Sequence, residues 1–180
     1  RRQELLARIG VEDFKTLSLD IDESYPEGLS PEDTVRYIAK KKCDAAAALC
    51  APDDLIITAD TMVFLGNDRL GKPRDEEDAL RMLRELAGRA HTVCTGVSVR
   101  RGAQEERFAV STRVFFRPMT DDEIRAYIKT GEPMDKAGAY GVQSRGALFV
   151  ERIDGDFFNV MGLPVEQLGL VLARFGVKLL

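Results

Sequence analysis

The run Leu55-Ile56-Ile57-Thr58, closed by Ala59-Asp60-Thr61 and followed by a Gly66-Asn67-Asp68 turn, constrains this chain more than any other stretch. A short apolar, β-branched run of this kind reads as a buried strand. The turn sends the chain back on itself, so Leu70-Gly71-Lys72-Pro73 returns toward the strand's end. A carboxylate at a strand end, Asp60, is thereby expected to face a lysine, Lys72. Such a pair suits a metal-bound phosphate, and an ordinary surface ion pair fits the same pattern.

Elsewhere helical and strand patterns alternate. The chain enters a helix at once, with Leu5, Leu6 and Ile9 on one face and Gly10 at its end. No strand precedes that helix, and a short native segment is expected ahead of Arg1. Residues 14–19 predict a strand, followed by the acidic loop Asp20-Ile21-Asp22-Glu23. Ser30-Pro31-Glu32-Asp33 is a helix start, with Ser as the cap, Pro at the first helical position and acids in the first turn. That helix runs to about Leu49. Asp75 caps another, with Ala79, Leu80, Leu83 and Leu86 inward and Gly88 ending it. Residues 91–100 and 107–116 predict a hairpin around Gly102-Ala103. Thr120-Asp121-Asp122-Glu123 is a capping box opening a helix to about Thr130. Residues 138–146 form a glycine-rich loop, 147–153 a strand and 164–175 a last amphipathic helix. Hairpins together with helical crossovers predict one α/β domain over residues 1–180, its strand directions mixed, with room for two lobes around a central cleft.

Charge and cysteine usage then remove whole classes of function. A net charge of −4 argues against general nucleic-acid binding, which needs a basic surface to displace counterions. No stretch approaches 18 consecutive apolar residues, so no membrane span is expected, and no signal peptide is read. Cys43, Cys50 and Cys94 are odd in number and lack CxxC spacing, which fits free thiols and a cytoplasmic location. With His91 as the single histidine, a His-rich zinc site and a Ser-His-Asp triad are both disfavoured. Any metal used in hydrolysis would be a hard cation held by oxygen.

Asp60 and Glu23 are the carboxylates best placed for a divalent cation such as magnesium, which takes one or two carboxylates together with phosphate oxygens. Asp20 and Asp22 fit a solvated acidic loop. Asp135 and Lys136 stand between a helix end and the glycine-rich loop; they are either a loop ion pair or part of a ligand site, since Gly138 and Gly141 allow close approach to the backbone. Gln143 suits the polar edge of a base, or equally a buried amide bonded to its own loop. Lys40, Lys41 and Lys42 form a run of the kind that commonly serves solubility. Arg1 and Arg2 are unfavourable for the dipole at a helix start, which points to an anion there.

The phrases RRQELL, ADT, LGKP, AGRAHTVCTGV and GEPMDKAGAYGVQSRGALFVERIDGDFFNVMGLP, in this order and spanning nearly the whole chain, resemble the Maf family of nucleotide pyrophosphatases. The resemblance implies hydrolysis of nucleoside triphosphates to the monophosphate and pyrophosphate with a divalent metal, magnesium or manganese. It also implies an elongated mixed sheet flanked by helices, similar to that of inosine-triphosphate pyrophosphatases, and a homodimer. By the family's motifs, Arg1 and Arg2 belong to its opening SPRR phrase, whose Ser-Pro is not in this sequence. Glu23 corresponds to its acidic-loop glutamate and Lys42 to its helix lysine. Asp60 with Thr61, Lys72 and Gln143 correspond to the working residues of ADT, LGKP and YGxQ. Catalysis would fall to Asp60, Lys72, Glu23 and Lys42, metal binding to Glu23 and Asp60, and substrate contacts to Arg1, Arg2, Thr61, Gln143 and Lys136. ADT in place of SDQ, together with DKAGAYG, is similar to the branch acting on dTTP and UTP rather than on 7-methyl-GTP. The competing expectation is a nucleotide-binding regulator of cell division and septum formation that acts through a protein partner.

Overall fold

Side-chain caps fix where three helices begin in the computed structural model, which describes residues 1–180. Ser30 accepts a hydrogen bond from the Asp33 amide at the head of α2 (Pro31–Ala47), and Asp75 accepts one from the Asp78 amide at the head of α3 (Glu76–Leu86). Thr120 and Glu123 exchange reciprocal bonds at α4 (Asp121–Ile128). Each cap satisfies an otherwise orphaned helix N–H and is typically worth about 1 kcal/mol. The remaining helices are α1 (Arg2–Arg8), α5 (Phe157–Met161) and α6 (Val165–Arg174). None is long and apolar enough to cross a membrane.

The strands are β1 (Ile56–Leu65), β2 (Asp68–Leu70), β3 (Ala90–Arg101), β4 (Gln104–Phe116) and β5 (Val150–Asp154), in the sheet order β2-β1-β3-β4-β5. The expected α/β class, a sheet flanked by helices, is what forms. Its strand directions depart from the expected mixture, because the sheet is antiparallel. The cause is topological. Helix α3 connects β2 to β3, but β1 lies between those two strands, so the crossover creates no parallel neighbours. β1 and β2 form the anticipated hairpin, with Val63 opposite Leu70.

The strand expected at residues 14–19 does not form. The sheet consists of β1 to β5, and this segment is not one of its strands. Its burial also lacks a two-residue period: Phe14 and Leu19 are half-buried, whereas Leu17 is exposed. The chain here is irregular, with Leu19 packed against a cluster of Cys43, Ala46 and Ile56.

By its internal contacts the chain divides into two compact units, residues 1–60 with 95–110 and 162–180, and residues 61–94 with 111–161. Strand β1 passes from one to the other between Asp60 and Thr61.

In the first unit, α2 lies directly on the backbone of β3. A Cβ on Gly96 would stand 2.3 Å from the carbonyl carbon and oxygen of Val35, so only glycine admits the helix at this distance. Thr58 ties the same helix to β1 by donating its hydroxyl to the Ala39 carbonyl at 2.7 Å.

In the second unit, the rings of His91, Phe116 and Tyr140 meet edge to face. The fully buried Asn159 of α5 donates to the Val93 carbonyl and to Thr112 Oγ1, which fixes α5 against β3 and β4. All three cysteines are free thiols, Cys43 and Cys94 buried.

Candidate active site

Lys42 owes its place to the helical period. Val35, Ile38 and Ala39 line the buried stripe of α2, and Lys42 follows them at seven, four and three residues, on that same stripe. Lys40 and Lys41 fall outside it and pair with Asp44 and Asp22 at the surface. The run of three lysines is therefore two solvated side chains and one directed inward.

The inward amine meets two carboxylates. Lys42 Nζ is 2.7 Å from Asp60 Oδ1 and 2.8 Å from Glu23 Oε1. Glu23 comes from the acidic loop, and Asp60, 7% exposed, is the fifth of the ten residues of β1. It stands mid-strand rather than at the strand end expected for it, because the strand runs on through residues 61–65. The second carboxylate oxygen of Asp60, Oδ2, is buried and has no hydrogen-bond partner. A buried, unpaired anionic oxygen is costly unless it serves a ligand.

Arg2 completes this cluster. Its Nε donates to the Gly162 carbonyl at 2.8 Å. Burial pulls its guanidinium below the ordinary arginine value; the charges of Asp60 and Glu23 oppose that, and neighbouring Arg1 adds to it. Arg1, Arg2, Glu23, Lys42 and Asp60 thus form one charged group in the first unit.

Glu23 and Asp60 already direct one oxygen each at a single cationic atom, Nζ of Lys42, while Asp60 Oδ2 stands unpaired. Two carboxylates with a spare oxygen fit a hard divalent cation that completes its shell from phosphate and water. No cluster of three or more acidic, histidine or cysteine side chains exists that would hold such an ion alone.

The second unit carries the other expected residues. Thr61 is half-buried on β1, one residue beyond Asp60, and Lys72 is exposed on the loop after β2. Counting on from the Val63–Leu70 pair sets Lys72 level with Thr61. The Lys72 loop is stitched to the Lys136 loop by the Gly138 amide, which donates to the Gly71 carbonyl at 3.1 Å. Gly138 adopts φ +70°, and a Cβ there would press on the Val63 side chain at 3.1 Å, so glycine is required on both counts. Lys136 Nζ is held at 2.6 Å by Asp135 and at 2.7 Å by the Glu132 carbonyl, which makes the expected loop ion pair real. Gln143 is exposed on the turn after Gly141, so the buried-amide alternative is set aside.

Sequence reasoning missed Glu132. Its Oε1 accepts from Tyr127 Oη at 2.7 Å, from Ser144 Oγ at 2.6 Å and from the Gly146 amide at 3.2 Å, while Oε2 accepts from the Arg145 amide at 3.2 Å. The nearest signal in the sequence was the pair Gly141 and Gly146, where a Cβ would stand 2.9 Å or less from this network.

Comparison with known proteins places these clusters in context. A family model described as Maf-like protein matches residues 1–175. A protein of Bacillus velezensis named dTTP/UTP pyrophosphatase is 45% identical over 178 residues, covering 99% of this chain and 93% of its own length. Proteins of the same name from a Geobacillus species and from Bacteroides thetaiotaomicron are 46% and 43% identical, covering 98% and 93% of this chain and 94% and 88% of their own lengths. With its family model matched almost end to end and these relatives similar over nearly their whole length, the chain belongs to the Maf-like protein family.

Proposed function

We propose that this chain hydrolyses dTTP and UTP to the monophosphate and pyrophosphate, as one catalytic domain over residues 1–180. The observation that carries the reading is the buried Asp60, paired through one oxygen with Lys42 and unpaired at the other, in a relative-rich family whose named members are dTTP/UTP pyrophosphatases. The regulator alternative has no comparable support.

Glu23 and Asp60 are the residues that would hold a divalent cation, magnesium or manganese, and such an ion supplies Lewis-acid polarisation at the α-phosphorus. Asp60 Oδ2 has no donor to satisfy within the protein, so it is free to accept a proton from an attacking water. Lys42, tethered between two carboxylates, moves its charge little as the reaction proceeds, which is the condition for preorganised electrostatic stabilisation. Arg1, Arg2 and Lys72 neutralise the charge that accumulates on departing pyrophosphate. Thr61, Lys136 and Gln143 bind the nucleoside end. The chain has no GxxxxGK[ST] loop of the sort that serves cleavage at the γ-phosphorus. A cytoplasmic site of action and a homodimer belong to the same proposal.

Reaction with UTP in ¹⁸O-labelled water tests it. Label is expected in UMP and not in pyrophosphate. UDP with labelled free phosphate would overturn both the reaction assignment and the role of Asp60.

A further inference from the structure

Gln143 poses a problem of recognition that its own side chain does not solve. An amide reads uracil by accepting from N3–H and donating to O4. Rotated by half a turn, the same amide reads cytosine equally well, because cytosine reverses both groups. Gln143 is exposed, and its χ3 torsion is soft. Discrimination between the two bases must come from neighbouring groups that cannot rotate.

Those groups are the backbone of the turn, and one carboxylate fixes them. Ser144, Arg145 and Gly146, the three residues after Gln143, each donate to Glu132: Ser144 through its hydroxyl at 2.6 Å, Arg145 and Gly146 through their amides at 3.2 Å. Before Gln143, the Gly141 amide donates to Tyr127 Oη at 3.1 Å, and that hydroxyl in turn donates to Glu132 at 2.7 Å. The turn is therefore held on both flanks by the same side chain. Burial pushes the Glu132 carboxyl up, but the bonds from Ser144, Tyr127, Gly146 and Arg145 outweigh it and hold the group below its usual value. The carboxylate is an acceptor at both oxygens, as four donors require. The turn also has no slack. A Cβ on Gly146 would stand 2.6 Å from the Gly141 carbonyl, and one on Gly141 would stand 2.9 Å from both Lys136 Cε and Ser144 Oγ. Through its own carbonyl, Glu132 holds Lys136 as well.

We propose that Glu132 is the positioning residue for pyrimidine selectivity, fixing the turn at residues 141–146 so that Gln143 and its backbone neighbours accept uracil or thymine and reject cytosine. This rests on the pyrophosphatase reading above, and it adds a residue to which that reading gives no role. Glu132→Gln keeps the shape and replaces one acceptor oxygen with a donor NH₂, so at least one of the four donors meets another donor. The turn loosens while the protein remains charged and packed elsewhere.

The test measures kcat and KM with UTP and with CTP for wild type, Glu132→Gln, Gln143→Ala and the double variant. Glu132→Gln is expected to lower kcat/KM for UTP about tenfold more than for CTP, mainly through KM. In the Gln143→Ala background, adding Glu132→Gln is expected to lower the UTP:CTP ratio again, because the backbone groups that discriminate are still those held by Glu132. Ser144→Ala, which removes a single donor, is expected to shift the ratio in the same direction by a smaller factor, and it serves if Glu132→Gln does not fold. Equal losses on both nucleotides, in the wild-type or the Gln143→Ala background, would show Glu132 to be a purely structural support and overturn the proposal. A wild-type chain that released no pyrophosphate from UTP would overturn the functional reading and this one with it. A wild type active on UTP whose variants keep its selectivity would overturn this one alone.

Discussion

Replacing Gly96 with alanine should separate Lys42, the lysine of the proposed active site, from its two carboxylates without touching either. The added Cβ would stand 2.3 Å from the Val35 carbonyl carbon and oxygen and 2.6 Å from the Arg36 nitrogen. These are backbone atoms of a helix, so no rotamer change relieves the clash. Ordinary contact begins near 3.4 Å; hence α2 must retreat from β3 by roughly 1 Å, the difference between the two distances. Lys42 rides on the same helix two turns further on and makes a 2.7 Å bond to Asp60. A shift of that size stretches the bond to about 3.7 Å, outside hydrogen-bond range. Overpacking of this kind costs about 1–3 kcal/mol, which for a chain of this length lowers Tm by about 2–12 °C. Misplacement by about 1 Å can cost on the order of 10²-fold in rate. The assay is kcat for pyrophosphate release from UTP at a temperature well below the variant's melting point, alongside circular dichroism. Gly169→Ala is the control: it lies inside α6, where a new Cβ would meet only Leu179 at 3.9 Å, and it should raise stability by about 0.5–1 kcal/mol. If Gly96→Ala melts like wild type and turns over within twofold of it, the helix does not set the lysine's position.

Asp60→Asn keeps the side-chain shape but removes the charge that pairs with Lys42 and that the proposed metal would need; turnover should fall by about 10²–10⁴-fold with the fold retained, and more than a tenth of wild-type activity would remove Asp60 from the chemistry. Lys72→Ala changes an exposed side chain, so Tm should stay within about 2 °C while kcat and kcat/KM for UTP fall together; a large loss of Tm with unchanged kinetics would make Lys72 structural. His91 is buried with Nε2 against Tyr140 Oη and Nδ1 unpartnered, and burial lowers its pKa from 6.5 to about 4. The unfolded chain therefore takes up a proton below pH 6.5 that the folded one refuses until about pH 4. Stability from this group is complete above pH 6.5 and declines by up to about 3 kcal/mol as the pH falls to 4. Urea midpoints across that window should fall less steeply for His91→Gln, and parallel profiles would refute the assignment.

Local chemistry was legible in the sequence wherever one residue decides it. The Ser30, Asp75 and Thr120 caps each bond the amide three residues on, as their spacing requires. The β1–β2 hairpin follows from an apolar run and a Gly-Asn-Asp turn. Lys42 was distinguishable from Lys40 and Lys41 only through the family motif, although the buried stripe of α2 gives the physical reason. What failed to show were long-range facts. Residues 14–19 have strand-like composition but join no ladder, and pairing is not a property of a segment. The antiparallel order depends on β1 lying between β2 and β3, which no local pattern encodes. Glu132 carried no local signal, because the four donors it collects come from 5 to 14 residues away.

The division of the chain into units drawn from separate segments has a consequence for how it is made. The first unit needs residues 1–60, 95–110 and 162–180 before it is complete. A ribosome that has just finished β1 must add roughly a hundred residues more to reach α6, which takes on the order of 5–20 s at ordinary elongation rates. For the first third or so of that interval the apolar stripe of α2 exists without the β3 backbone, and for all of it without the C-terminal helix that shares its unit. Cotranslational folding of this protein is accordingly expected to finish late, and the nascent chain is the state in which it is most open to chaperone capture and aggregation.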